Sequence, residues 1–209
     1  MILRKLNIKR MMSKFVASTV ELLNETVQFH AKGDLNLKGL PQNEVYIERE
    51  LEWYKSQSLD IEPLNDVKIW TIVCDNNHKI NSNYGFLIFS SQNGNQFENV
   101  YKELKRDINS RRAVMYYTNP WMHHQGGKDH VCTAYVSFLY RDGTLNCYVS
   151  MRSNDVIFGM RNDLPWHQWV LETMAMRLGI RPGYVNWHAV SLHVYERHYD
   201  LLEKVCKEN

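Results

Sequence analysis

TAYVSFLYRDGTLNCYVSM, residues 133–151, places two runs rich in aromatic and β-branched residues on either side of Asp142-Gly143. Asp-Gly suits a two-residue turn with positive φ at both positions, so the stretch predicts a β-hairpin. C-terminal to it, LPWHQWVLETMAMRL (164–178) predicts a helix, with Asn162 or Asp163 as cap, Pro165 in the first turn and Gly179 as stop. VNWHAVSLHVY (185–195) returns to strand, and ERHYDLLEKVCKE closes as a helix. On the N-terminal side, AVMYYTN (113–119) reads as strand and QFENVYKELKRD (96–107) as an amphipathic helix. EVYIERELEWYKS (44–56) reads as a helix with Tyr46, Glu50, Trp53 and Tyr54 on one face and Glu48 and Glu52 elsewhere. TVELLNETVQFHA (19–31) reads as extended. Strands and helices mix without a regular βαβ rhythm, which predicts an α+β fold with a mainly antiparallel or mixed sheet.

A chain of 209 residues fits one domain. With 44% apolar and 23% charged residues, disorder is excluded. No apolar run approaches the length of a membrane helix. A net charge of +2 does not make bulk nucleic-acid binding the default. The first 14 residues carry five basic residues and no acid, and residues 1–13 are expected to be a short, exposed basic extension preceding a single domain over 14–209. The four cysteines, at 74, 132, 147 and 206, are separated by 58, 15 and 59 residues, with no close pair for zinc or redox chemistry. With no secretory signal, a reduced cytoplasmic setting is expected.

His123-His124 in a polar loop, and His193 and His198, carry only a weak metal signal, and no metal is expected. Gly126-Gly127-Lys128 lacks Walker spacing. Four places invite chemistry. Glu50 is an acid on an aromatic helix face; a rim salt bridge is the plain alternative. Cys132 directly precedes a strand. Arg152-Ser153-Asn154-Asp155 follows the second hairpin strand with donors suited to phosphate, or is a surface turn. Asp163 stands where strand gives way to helix, as a site residue or an N-cap.

MRSNDVIFGMRND (151–163), followed 28 residues later by SLHVYERH, resembles the thymidylate synthase superfamily, with its Arg-Ser-x-Asp-Val nucleotide motif and later His-x-Tyr pair. YIERELEWYKSQSL (46–59), INSNYG (80–85), NSRR (109–112), RSNDV and RND are closer to its branch that hydroxymethylates deoxycytidylate in T-even phages. The resemblance runs from about Lys14 to about Leu202, in the family's motif order. It implies a thymidylate synthase-like fold with a large mixed sheet flanked by helices, and a homodimer.

The resemblance assigns roles by position. Cys132 matches the nucleophile that adds to pyrimidine C6, work suited to a thiolate, with Arg152 a candidate to lower its pKa. Glu50 matches the catalytic glutamate, expected to have a raised pKa among its aromatic neighbours. Lys14, Arg152 and Ser153 match phosphate contacts, with Lys14 in place of the usual arginine. Arg111 and Arg112 match a pair reaching across the dimer. His193 and Tyr195 match sugar contacts, and Tyr84 the tyrosine near C5. Trp70, Asp155 and Gly159 match the folate pocket; Asn154 receives no role. The co-substrate implied is 5,10-methylenetetrahydrofolate, the substrate dCMP, the setting a phage-infected bacterium, and a phage nucleotide-synthesis complex is a further expected partner.

Asp163 stands where thymidylate synthases carry Asn. Cytosine offers an acceptor at N3 and a donor at N4; a protonated carboxyl group complements both, as does an ionised one if N3 is protonated. A mismatched edge costs roughly 1–3 kcal/mol per unpaired buried group. A helix N-terminus would favour the ionised acid, so the holder of the proton stays open. Water attack on the exocyclic methylene gives the hydroxymethyl product, and Thr133 in place of the usual His favours it. Hydride delivery would give a methyl product. An idle nucleotide- or RNA-binding relative is the remaining alternative.

Overall fold

The computed structural model describes residues 2–12, 18–33, 40, 43–119 and 128–208. Lys14, His123-His124 and Gly126-Gly127 lie outside the described residues. The elements run α1 (Ile2–Met12), β1 (Thr19–His30), α2 (Glu44–Ser56), α3 (Lys68–Val73), α4 (Tyr84–Phe89), α5 (Gln96–Arg106), β2 (Val114–Tyr116), β3 (Thr133–Arg141), β4 (Thr144–Asp155), α6 (Gly159–Leu178), β5 (Arg181–Tyr195) and α7 (Tyr199–Glu208). One sheet has the order β1-β5-β4-β3-β2. All its pairs are antiparallel except β4 with β5. The sheet is therefore mixed, and α6 is the crossover that a parallel pair requires.

The hairpin forms as its turn residues dictate. Asp142 and Gly143 take φ of 52° and 78°, and Arg141 pairs with Thr144. Val136, Phe138, Cys147, Val149, Met151, Val185, Trp187 and Ala189 fill one face of the sheet and are buried. On the other face, Tyr116 pairs with Tyr135, and Tyr135 with Ser150, and these tyrosines stay exposed, as do Tyr148 and Val190. The apolar side of α6, with Val170, Leu171, Met174 and Ala175, is buried.

Three expectations change. Within the stretch expected as an exposed basic extension, the described residues 2–12 form α1, which packs on α7 and β1, and Leu6 is fully buried. Arg152-Ser153-Asn154-Asp155 is not a turn, because pairing with β5 carries β4 on to Asp155 opposite His193. The helix expected at 164–178 begins at Gly159, so Asp163 sits in its second turn and caps nothing. The first N–H groups of that region go instead to Asp155, whose carboxylate accepts from Ile157 N and Phe158 N at 3.1 and 3.3 Å. Pro165 lies inside the helix, and Gly179 ends it in the left-handed conformation.

The short α4 lies directly on α2. A Cβ at Gly85 would stand 1.7 Å from Tyr54 O, so only glycine permits the approach. That contact stacks Tyr84 on Tyr54 with ring centroids 4.7 Å apart. Gly85→Ala is expected to lower the melting temperature by several degrees and to weaken the near-UV tyrosine circular dichroism, since the two helices must part. Thermal melts of both proteins check this.

Candidate functional site

α2 carries Glu50 into the interior because Tyr46, Glu50, Trp53 and Tyr54 fall on its one inward face. Glu50 is 4% exposed. Tyr46 Oη donates to Glu50 Oε1 at 2.5 Å, and Trp70 Nε1 on α3 donates to Tyr46 Oη at 2.9 Å. Trp70 thus meets the acid through a tyrosine. Glu50 Oε2 is buried and has no protein partner. Burial pushes its carboxyl up to about 8; Asp163 adds to the rise and the Tyr46 hydrogen bond opposes it.

Asp163, on α6, is 9% exposed. It accepts from Asn154 Nδ2 at 3.1 Å and is hydrogen-bonded with Tyr84. Burial raises its pKa to about 7 in spite of both bonds, and Asp155 contributes in the same direction.

Cys132 precedes β3 in a loop held from both sides. Arg152 of β4 donates from Nε to Val131 O at 2.9 Å and from Nη2 to His130 O at 2.6 Å, and Nη2 lies 3.7 Å from Cys132 Sγ. Asp129 is buried and accepts from Asn81 N, Ser82 N and Ser82 Oγ at 2.6, 2.9 and 2.6 Å. This ties the cysteine loop to the segment leading into Tyr84. Burial pushes the thiol up to about 11, with Asp163 and Asp129 adding; Arg152 lowers it, as expected, but by less than burial raises it. Thr133 Oγ1 donates to Met151 Sδ at 3.1 Å and lies 3.4 Å from His167 Nε2. His167, buried, has its pKa pushed down to about 3 and stays neutral.

Ser153 Oγ lies 3.4 Å from His193 Nδ1, and His193 meets the Tyr195 ring edge-on at 4.9 Å, so these three form one group. Gly159 backs Asn154 and Asp155. Arg111 and Arg112 are exposed, and Arg112 pairs with Glu103 of α5 at 3.0 Å. The structure therefore brings together Glu50, Trp70, Tyr84, Cys132, Arg152 and Asp163, and adds Tyr46, Asp129 and Asn154. Sequence reading had placed Tyr46 on the Glu50 face and Asn154 in the Arg152–Asp155 stretch, without a catalytic role for either; nothing local signals Asp129.

These pKa shifts have consequences away from any substrate. Between the ordinary carboxyl range and the raised values, the folded protein retains protons that the unfolded chain has lost, so stability falls as pH rises from about 4.5 toward about 8. Glu50→Gln is expected to gain on the wild type across that interval, raising the unfolding midpoint more at pH 8.5 than at pH 5, as denaturant titration at both pH values would read. The Cys132 thiol, for its part, is expected to alkylate slowly at pH 7, with a rate still climbing beyond pH 9, as peptide mapping after timed iodoacetamide treatment would show.

The profile of the thymidylate synthase family matches residues 14–209. The deoxycytidylate 5-hydroxymethyltransferases of Enterobacteria phage T4 and of Enterobacteria phage T2 are each 42% identical to this chain over 174 residues, covering 77% of it and 71% of their own length. A thymidylate synthase of Fusobacterium nucleatum is 29% identical over 168 residues, covering 77% of this chain and 60% of its own.

Proposed function

The chain belongs to the thymidylate synthase family, and on that premise we propose that it is a deoxycytidylate 5-hydroxymethyltransferase. It makes 5-hydroxymethyl-dCMP from dCMP in the cytoplasm of a phage-infected bacterium. The observation that carries this reading is a buried acid, Asp163, grouped with the thiol of Cys132 and a second buried acid, Glu50.

Arg152 offers phosphate its Nη1 donors, since Nε and Nη2 already hold the cysteine loop. Ser153 adds a hydroxyl, and His193 with Tyr195 takes the sugar. Lys14 is assigned to phosphate by its position in the family motif. Asp163 reads the amino edge of cytosine. Cys132 sulfur bonds to C6, which turns C5 into a carbon nucleophile. 5,10-Methylenetetrahydrofolate, when bound, supplies the one-carbon unit that C5 takes up.

The residues present fit that co-substrate. Glu50 Oε2 is an orphaned buried acceptor, and Trp70 stands beside exposed Ile69 and Ile72, a surface for a flat heterocycle. Trp70, Asp155 and Gly159 would hold it. Loss of the C5 proton, with the one-carbon unit's bond to the folate nitrogen broken and tetrahydrofolate released, would leave an exocyclic methylene on the nucleotide. Glu50 orders the water whose oxygen adds to that carbon, and breaking the sulfur–C6 bond releases the product. Thr133 beside Cys132 accompanies water rather than hydride as the final reactant.

The exposed sheet face, with Tyr116, Tyr135, Tyr148 and Val190, is assigned to a second copy of the chain. Arg111 and Arg112, both exposed, then reach the phosphate of the neighbouring site. Assembly with other nucleotide-synthesis enzymes of the phage belongs to the same reading.

Two outcomes test the proposal. Incubation with dCMP and methylenetetrahydrofolate is expected to add a hydroxymethyl mass to the nucleotide, and Cys132→Ser to abolish turnover while still binding dCMP; a methyl mass would replace hydration by hydride transfer. Asp163→Asn is expected to move the ratio of kcat/KM from dCMP toward dUMP by at least about tenfold, because the amide can turn its oxygen to uracil N3–H and its nitrogen to O4. A ratio unchanged by this substitution would remove base reading from Asp163.

A further inference from the structure

Asn154, at the end of β4, is 3% exposed. Its Nδ2 donates to Asp163 Oδ2 at 3.1 Å, while its Oδ1 is buried without a protein partner. Gly159 backs the amide closely: a Cβ there would come within 3.2 Å of Nδ2. The amide is therefore wedged between the first turn of α6 and the acid. Tyr84 of α4 is the other hydrogen-bond partner of Asp163.

A neutral carboxyl group is by itself an ambiguous reader of pyrimidines. With its proton on the oxygen facing N3, it donates to N3 and accepts from an amino group, the pattern of cytosine. With its proton on the other oxygen, it accepts from N3–H and donates to O4, the pattern of uracil. Rejecting uracil therefore requires that the proton be kept off one particular oxygen.

We propose that Asn154 is a specificity-determining positioning residue: its N–H occupies Oδ2 of Asp163 and confines any carboxyl proton to Oδ1, so that, with Oδ1 set toward N3 and Oδ2 toward the exocyclic group, the acid matches cytosine and not uracil. The inference rests on the reading above, in which Asp163 faces the base. It concerns the neutral carboxyl group. An ionised Asp163 held the same way accepts from a protonated N3 and from N4, but sets a bare oxygen against uracil O4.

The other titratable groups around Asp163 are Glu50, Tyr46 and Tyr54 of α2, Tyr84 of α4, Asp155 of β4 and Cys132 before β3. All are acids or weak acids. Two donors meet Asp163: the Tyr84 hydroxyl, whose ionisation burial pushes far upward, and the Asn154 amide, which has no proton to lose.

Two variants test the inference. Asn154→Leu keeps the volume and removes the donor. Gly159→Ala leaves Asn154 in place but crowds its amide, and alanine suits a helix. Dissociation constants for dCMP and dUMP, measured by calorimetry without folate, should show the preference for dCMP falling about tenfold in Asn154→Leu and by less in Gly159→Ala. In the nucleotide-free protein, the carboxyl 13C resonance of Asp163 should titrate at higher pH in Asn154→Leu, since a donor to the charged form is lost.

A preference unchanged in the folded variants, or an Asp163 titration that does not move, overturns the inference. If Asn154→Leu does not fold, Gly159→Ala decides by the same two measurements. Wild-type protein that does not prefer dCMP overturns the functional reading and this inference together. That failure is distinguishable, because the 13C titration reads the Asn154–Asp163 bond with no nucleotide present.

Discussion

Removing two carboxyl groups from water is the constraint around which this protein is arranged. Glu50 and Asp163 are buried close enough that the charge on one raises the pKa of the other. Around them stand Tyr46, Tyr54 and Tyr84, whose own ionisation is pushed far upward by the same burial. Cys132 follows the same rule: its positively charged neighbour Arg152 is present, yet desolvation wins. At neutral pH the two acids therefore carry less negative charge than they would in water, and Arg152 supplies the site's fixed cation. An environment this dry makes each hydrogen-bond donor count for more than it would at the surface.

The scaffold exists to hold those groups in place against their cost. α2 carries the acid and two aromatic rings on one face, and Gly85 lets α4 come close enough for Tyr84 to cover them. β4 runs past the hairpin and delivers Arg152 to the cysteine loop, Ser153 to His193 and Asn154 to Asp163 within three successive residues. α6 returns over the sheet and brings Asp163 to meet Asn154. Its next turn on that face carries His167, which borders Thr133. Sheet register thus sets the distances of the site, since β4 and β5 pair as far as Asp155 opposite His193.

Local pattern made much of this legible. Asp142-Gly143 stated the hairpin, and the Tyr46–Glu50–Trp53–Tyr54 spacing stated both a helix and its buried face. The start of α6 was not legible, because Pro165 is the residue type that opens helices and here lies inside one. The true start depends on Asp155, whose carboxylate takes the N–H groups of Ile157 and Phe158, a use no spacing rule distinguishes from a ligand contact. Likewise Arg152 and the N-terminal segment looked like surface by their charge. Burial of Leu6 and the Arg152 bonds to His130 O and Val131 O arise from chain segments remote in sequence. Asp129 escaped notice for the same reason: its partners, Asn81 and Ser82, are 48 and 47 residues away.

What remains unsatisfied is as informative as what is paired. Glu50 Oε2, Asn154 Oδ1 and His167 Nδ1 are buried without protein partners, all within this one region. Each orphan costs roughly 1–3 kcal/mol in the folded protein, a burden borne by the buried face beneath, with Phe138, Met151, Trp166 and Trp187 fully enclosed. A group entering from outside and donating to Glu50 Oε2 would recover part of that cost, and the recovery would be largest for a molecule that fits without moving the rings. Under the proposed function, the same atoms that weaken the resting fold are the ones a polar, planar guest would meet. The pH dependence of stability and the chemistry of the site follow from one source: polar groups kept dry ahead of the partner that will satisfy them.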